Sequence, residues 1–224
     1  MSVPAAVVFD AYGTLLDVHA AVARHAARLG ARAATLSAAW RAKQLEYSWI
    51  LSQAGDYADF QELTARALDT AMAAQGIADA ALRGDLLAAY QRLDAFADAA
   101  PALEALRRRG LATAILSNGA PGMLAAAVEA AGLAGLLDAV LSVDALRVYK
   151  PAPRVYALAT ARFDCAPGRI AFVSANAWDA YGAARFGFRV HWLCRTAQPA
   201  EYGLDRLAAS RLASLAELPD RIAP

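Results

Sequence analysis

The chain has 224 residues, with 22 basic and 21 acidic side chains, a formal charge of +1 and 58% hydrophobic residues. That length holds one or two domains with a full core, and near-neutrality argues against a nucleic-acid or anionic-membrane protein, whose attraction needs clustered Lys and Arg. The most apolar stretch, residues 124–141, is broken by Glu129 and Asp138, short of the ~20 nearly uncharged residues of a membrane span.

Residues 5–9 are an apolar run, β-branched at Val7 and Val8, that stops at Asp10 and a glycine-containing turn. The pattern predicts a buried strand with an acid at its carboxyl end. From about Val18 to Phe96 the periodicity is helical, and 36–51, 60–75 and 80–93 each suit an amphipathic helix. So long an all-helical stretch after a first strand predicts an inserted cap, because a simple crossover needs far fewer residues. Beyond it the predicted elements alternate: helix 99–109, strand 112–116, helix 122–131, strand 139–143, helix 153–163, strand 170–173, helix 178–186, strand 189–193. Such alternation implies right-handed crossovers and a mostly parallel sheet covered on both faces. The expected fold is α/β: a Rossmann-like core of residues 1–17 and 96–224, interrupted by a helical cap at 18–95. Residues 195–224 carry no interpretable motif. Cys165 and Cys194 are too few for a disulfide scaffold or a zinc cluster, and no basic stretch precedes the first apolar run. A cytoplasmic protein without a leader is expected.

Open parallel sheets bind ligands outside the carboxyl ends of their strands. Those ends deliver Asp10, then Ser117 and Asn118, then Lys150, then Ser174, Asn176 and Asp179. An acid, small hydrogen-bonding groups, a cation and a second acid thus converge on one rim. Asp10 alone reads equally as a nucleophile or as a cap for its turn. Convergence with Lys150 and Asp179 favours the nucleophile, Lys150 holding Asp10 ionised and Asp179 orienting Lys150. Ser117 and Asn118, ahead of a helix, suit helix capping, anion binding or both. The sequence offers His19, His25 and His191 no convincing Ser or Cys partner in a triad arrangement, and all three are expected to be structural or surface residues. The run Arg107-Arg108-Arg109 precedes Gly110, where cations complement a helix carboxyl end.

Four segments, Val7-Val8-Phe9-Asp10-Ala11-Tyr12-Gly13-Thr14-Leu15-Leu16-Asp17, Ser117-Asn118-Gly119, Tyr149-Lys150-Pro151 and Ser174-Ala175-Asn176-Ala177-Trp178-Asp179, together resemble the haloacid dehalogenase superfamily. With Trp40-Arg41-Ala42-Lys43-Gln44-Leu45-Glu46-Tyr47 and Phe60 in the cap, the chain is similar, to about Gly187, to the L-2-haloacid dehalogenases. The resemblance implies hydrolytic dehalogenation of short L-2-haloalkanoates to D-2-hydroxy acids through an ester on Asp10, with no metal or cofactor, in a homodimer. It assigns Ser117, with Lys150, to the substrate carboxylate, Asn118 and Arg41 to the halide, and Thr14 to a hydrogen bond near Asp10. Ser174 and Asn176 would help position water. Tyr12, Leu45, Phe60, Tyr156 and Trp178 would line the pocket.

Superfamily phosphatases carry a second aspartate where Tyr12 stands, to protonate an alkoxide; halide leaves without a proton. Ser174 and Asn176 are neutral where a magnesium site wants carboxylates. The rival readings are a magnesium-dependent phosphatase acting on a small phosphorylated metabolite, and a catalytically silent ligand-binding or scaffold protein.

Overall fold

The computed structural model describes residues 3–222. Met1, Ser2, Ala223 and Pro224, assigned to the core by sequence, lie outside the described residues. Six strands, β1 (Ala6–Phe9), β2 (Ala112–Ser117), β3 (Ala139–Ser142), β4 (Ile170–Ser174), β5 (Arg189–Leu193) and β6 (Ser210–Leu212), form one parallel sheet in the order β3-β2-β1-β4-β5-β6. Every residue of β1 and β4 is buried, as continuous apolar runs between two neighbours require. The chain winds outward from β1 through β2 to β3, then returns to pair β4 with the free side of β1. This reversal is a topological switch point, and the carboxyl ends beside it form a crevice suited to ligands.

Between β1 and β2 the described residues hold helices only: α1 (Ala20–Ala23), α2 (Ala26–Leu29), α3 (Ala33–Ala54), α4 (Phe60–Ala74), α5 (Ala80–Tyr90) and α6 (Ala99–Arg108). The helices that follow are α7 (Pro121–Ala130), α8 (Pro153–Phe163), α9 (Ala177–Phe186), α10 (Leu204–Leu207) and α11 (Leu218–Arg221). α6 to α9 pack on the sheet, whereas α3 packs chiefly on α4. α4 and α5 start where side chains satisfy free amides: Asp59 accepts from Glu62 N and Asp79 from Leu82 N, both at 2.8 Å. α4 buries Phe60, Leu63, Thr64, Ala67, Leu68, Ala71 and Met72, a stripe at helical spacing.

A buried polar chain fixes the rotation of α3. Trp40 Nε1 donates to Thr64 O at 2.9 Å, Gln44 Nε2 donates to Thr64 Oγ1 at 3.0 Å, and Tyr90 OH donates to Gln44 Oε1 at 3.2 Å. Residues 40, 44 and 48 therefore face α4 and α5, and the adjacent stripe of Arg41 and Leu45 is turned toward the sheet.

The helical stretch returns to the core beside the point where it left. Asp17 N donates to Asp94 O and Phe96 N to Leu15 O, both at 2.9 Å, with Leu16 bridged to Ala95. The segment after residue 195 is not featureless: β6 extends the sheet beyond β5, and α11 packs on α6. The arginine run does more than complement α6: Arg107 pairs with Asp138, and Arg109 donates to the carbonyls of Pro219 and Ile222. No helix among the described residues is long and apolar enough to cross a membrane.

Candidate active site

Asp10 follows β1 directly, and its amide donates to Val173 O of β4 at 2.9 Å, which locks the residue to the switch point. Its carboxylate is buried and held from three sides. Lys150 Nζ donates to Oδ1 at 3.1 Å, while Thr14 Oγ1 and Asn176 Nδ2 donate to Oδ2 at 3.2 and 2.7 Å. Thr14 Oγ1 accepts from Ala175 N at 2.9 Å, so the turns after β1 and β4 brace each other.

Lys150 is also wholly buried, and its ammonium donates to Asp179 Oδ2 at 2.7 Å. Asp179, on the first turn of α9, further accepts from Ser174 Oγ at 3.2 Å and from Tyr156 OH at 2.8 Å. Burial opposes the Lys150 charge, yet the two carboxylates prevail and hold its pKa above the ordinary lysine value. For Asp179, burial, reinforced by the like charge of Asp10, outweighs Lys150 and pushes the carboxyl up to about 6. Tyr156, raised well above the usual tyrosine value by burial and by Asp179, is a neutral donor. This corrects its expected place: Tyr156 stands behind Asp179 and is not among the residues of the cavity wall. Gly182 makes that possible, since a Cβ there would collide with the Tyr156 hydroxyl and come within 2.7 Å of Pro151.

The acid behaviour follows from these charges. Asp179 must be ionised to hold Lys150, so kcat/KM is expected to fall as pH drops through about 6, with an apparent pKa that belongs to the Asp10–Lys150–Asp179 cluster. Stability has the opposite sign: a carboxyl raised in the fold from 3.8 to about 6 stabilises the protein most below 3.8, and that contribution is lost as pH rises through 6. A pH–rate profile flat from pH 7 to 4 would contradict this assignment.

Beside Asp10 lies a small cavity walled by Asp10, Tyr12, Arg41, Leu45, Phe60, Ser117, Asn118 and Trp178. It has roughly the room of one water molecule. All eight were singled out in the sequence. The Tyr12 ring lies between Phe60 and Tyr90, with centroid separations of 5.8 and 5.7 Å. Gly119 admits that ring; a Cβ there would stand 2.9 Å from both it and Leu124. Burial raises the Tyr12 phenol far above its usual value, so it stays neutral. Arg41 reaches in from α3, its Nη2 3.4 Å from Tyr12 O and 3.5 Å from Asn176 Oδ1. These bonds are long, leaving the guanidinium available to an anion.

Ser117 ends β2, and its Oγ accepts from Gly119 N at 3.1 Å. Asn118 Oδ1 accepts from Lys150 N at 3.0 Å, tying the turn after β2 to the lysine segment. Neither residue makes a side-chain cap to α7, whose cap position is Ala120. Asn176 is the cap residue of α9 but makes no side-chain cap bond; its amide serves Asp10.

Three contributors had no role assigned from the sequence: Gln44 and Tyr149 lie within the segments that carry the resemblance, and Tyr90 had no signal at all. Tyr90 and Gln44 back the aromatic wall from ordinary helix positions. Tyr149 donates to Ala58 O at 2.5 Å and stacks on Tyr57 at 5.4 Å, joining the lysine segment to the loop between α3 and α4. Their roles depend on contacts across 20 or more residues.

A family model for haloacid dehalogenase-like hydrolases matches residues 4–187. (S)-2-haloacid dehalogenase 1 of Pseudomonas sp. (strain CBS-3) is 48% identical over 215 residues, covering 96% of this chain and 94% of its own. A dehalogenase solved as an intermediate complex superposes with a TM-score of 0.97 at 44% identity, covering 100% of this chain and 99% of that one. The L-2-haloacid dehalogenase of Xanthobacter autotrophicus with chloropropionic acid covalently bound superposes with a TM-score of 0.87 at 38% identity, covering 97% of each chain.

Proposed function

The chain belongs to the haloacid dehalogenase-like hydrolase family, among its (S)-2-haloacid dehalogenases, and from that premise we propose that it hydrolyses short-chain L-2-haloalkanoates, such as 2-chloropropionate and haloacetates, to D-2-hydroxy acids with inversion. The observation that carries the reading is one buried carboxylate, Asp10, held by Lys150, Thr14 and Asn176 at the wall of a cavity that Arg41 enters.

In this mechanism the substrate carboxylate lies against Ser117, with the charge of Lys150 behind it. An Asp10 oxygen attacks C2 from the side opposite the halogen. The C–O bond forms as the C–X bond breaks, and the electron pair leaves with halide. Negative charge grows at the Arg41 and Asn118 side, where a fixed guanidinium and an amide stabilise the transition state more than the ground state. Tyr12, Leu45, Phe60 and Trp178 exclude bulk water and hold the alkyl part. Water held by Ser174, Asn176, Lys150 and Asp179 then attacks the ester carbonyl of Asp10. One of its protons passes through the cluster to the departing hydroxy acid, the other is released to solvent, and Asp10 is a carboxylate again.

Residues 18–95 act as a cap over the core in this reading. Arg41, Leu45 and Phe60 of the helical stretch close the cavity over Asp10, so opening of these helices would admit substrate and their closure would exclude water. The paired segments 15–17 and 94–96 are the natural hinge.

The donors fit a metal poorly. Both Asp10 oxygens and Asp179 Oδ2 already accept hydrogen bonds, and Lys150 stands between the two carboxylates where a cation would otherwise balance them. Among the described residues no group of three or more His, Cys, Asp or Glu could hold an ion. Magnesium seeks several oxygen ligands, commonly carboxylates, so the proposal is metal-independent chemistry. The proposal also includes a cytoplasmic homodimer; two free cysteines suit a reducing compartment, and sedimentation and cell fractionation would test both parts.

The test is halide release from each enantiomer of 2-chloropropionate with excess EDTA. Release from the L form alone, giving D-lactate at an undiminished rate, is expected. Activity lost to chelation and restored by magnesium, or phosphate release from small phosphoesters, would support the phosphatase instead.

A further inference from the structure

The segment after β5 reaches the catalytic turn through Arg195. Its guanidinium grips Asp98 in a fork, Nη1 to Oδ2 at 2.8 Å and Nη2 to Oδ1 at 2.9 Å, and lies 3.9 Å from the centroid of the Phe96 ring. Nη2 also donates to the backbone oxygen of Thr14 at 3.0 Å. Asp98 in turn accepts from Ser214 Oγ at 2.7 Å and Leu215 N at 2.9 Å. Despite partial burial, these donors hold the Asp98 carboxyl below its usual value. The assembly is not a loose surface pair; planar fork, stacked ring and backbone bond fix the guanidinium on three sides.

Its position gives the contact its meaning. Thr14 holds Asp10 through its hydroxyl, and its carbonyl faces Arg195. Phe96 and Asp98 belong to the chain as it re-enters the core, and Phe96 N is bonded to Leu15 O. One side chain therefore spans both crossings between the helical stretch and the core, and it bonds the same residue that donates to the Asp10 carboxylate. We propose that Arg195 is a positioning residue for dehalogenation, which fixes the Thr14 backbone so that the turn presents Asp10 in line with the C–X bond. The inference rests on Asp10 as the nucleophile. Lysine at 195 keeps the charge but loses the fork and the stacking, so charge alone would not rescue the function.

Arg195→Lys, Arg195→Met and Asp98→Asn test it in single turnovers with bromoacetate, reading the amplitude and the rate of the bromide burst. The expected result for Arg195→Lys is a full burst, a rate of ester formation lowered roughly tenfold, and KM changed less than about twofold, because misplacement of a reacting group by a fraction of an ångström weakens the chemical step. Asp98→Asn, which frees the guanidinium without touching Thr14, should give a smaller loss of the same kind. Native rates with a reduced amplitude would mean that Arg195 only supports folding, and native rates with full amplitude would mean that it does nothing; either overturns the proposal. Asp10→Asn run alongside separates the two levels: activity surviving there refutes the nucleophile itself, whereas a dead Asp10→Asn beside an unaffected Arg195→Lys refutes only the positioning role.

Discussion

Asp10→Asn is expected to abolish halide release, lowering kcat by about 10⁴-fold or more, since removal of a covalent nucleophile leaves only binding and electrostatic effects. The fold should not suffer. Asp10, Asp179 and Lys150 enclose two negative charges and one positive, and the amide leaves a balanced pair with a similar shape. Thermal stability equal to or above that of the native protein is therefore expected alongside lost activity, a trade found where a site stores unfavourable charge. Circular dichroism melts and an ion-selective electrode check both halves. A large fall in melting temperature would mean that Asp10 is chiefly structural.

Lys150→Met has the second large effect, and it differs in kind. Methionine fills most of the lysine volume but leaves two buried carboxylates facing one another. Breaking a buried ion pair by removing one partner costs about 3–5 kcal/mol, and here one carboxyl must take up a proton to relieve the repulsion. The variant should be inactive and markedly less stable at pH 8 than at pH 5. Lys150→Met combined with Asp179→Asn should recover part of the stability without activity, because the second substitution removes the repulsion between the two carboxylates but restores no cation beside Asp10. Denaturant titration at both pH values and the halide assay decide it. Additive destabilisation in the double variant would contradict the charge account.

The legible parts of the fold were those whose cause is local. Ala6–Phe9 reads as a strand because no polar residue interrupts it, and Asp10 marks its end. α8 spans Pro153–Phe163 as its periodicity suggests, and α6 and α9 agree within a residue at each end. The expected 80–93 helix stops at Tyr90, after which the chain turns through Gln91 and Arg92 toward its return to the core. β6 is three residues, Ser210–Leu212, with alternating exposure; only pairing with β5 makes it a strand. α1 and α2 are single turns too short for a periodicity.

The site divides along the same line. Asp10, Ser117, Asn118 and Ser174 follow from the rule that strand ends gather ligands, because each closes or follows a strand. Lys150 and Asp179 could be grouped with them, with Lys150 between the two acids; that Tyr156 backs Asp179 rather than the cavity could not be read. Nothing local tells which face of α8 meets α9. Arg41 and Leu45 are four apart on one helix, a spacing any buried stripe shares, and their orientation depends on the Gln44–Thr64–Tyr90 contacts. Arg195 and Asp98 meet across 97 residues, a pairing that no pattern in either neighbourhood announces.

One labelling experiment tests the central claim most directly. A single turnover of excess enzyme with L-2-chloropropionate in oxygen-18 water, followed by mass analysis of the peptide containing Asp10 and of the lactate, follows the oxygen that hydrolysis adds. With Asp10 as the displacing group, the heavy atom enters the Asp10 carboxyl and the first lactate formed carries ordinary oxygen. Heavy oxygen in that first lactate, with the peptide unlabelled, would show that water attacks the substrate carbon itself and would contradict the account.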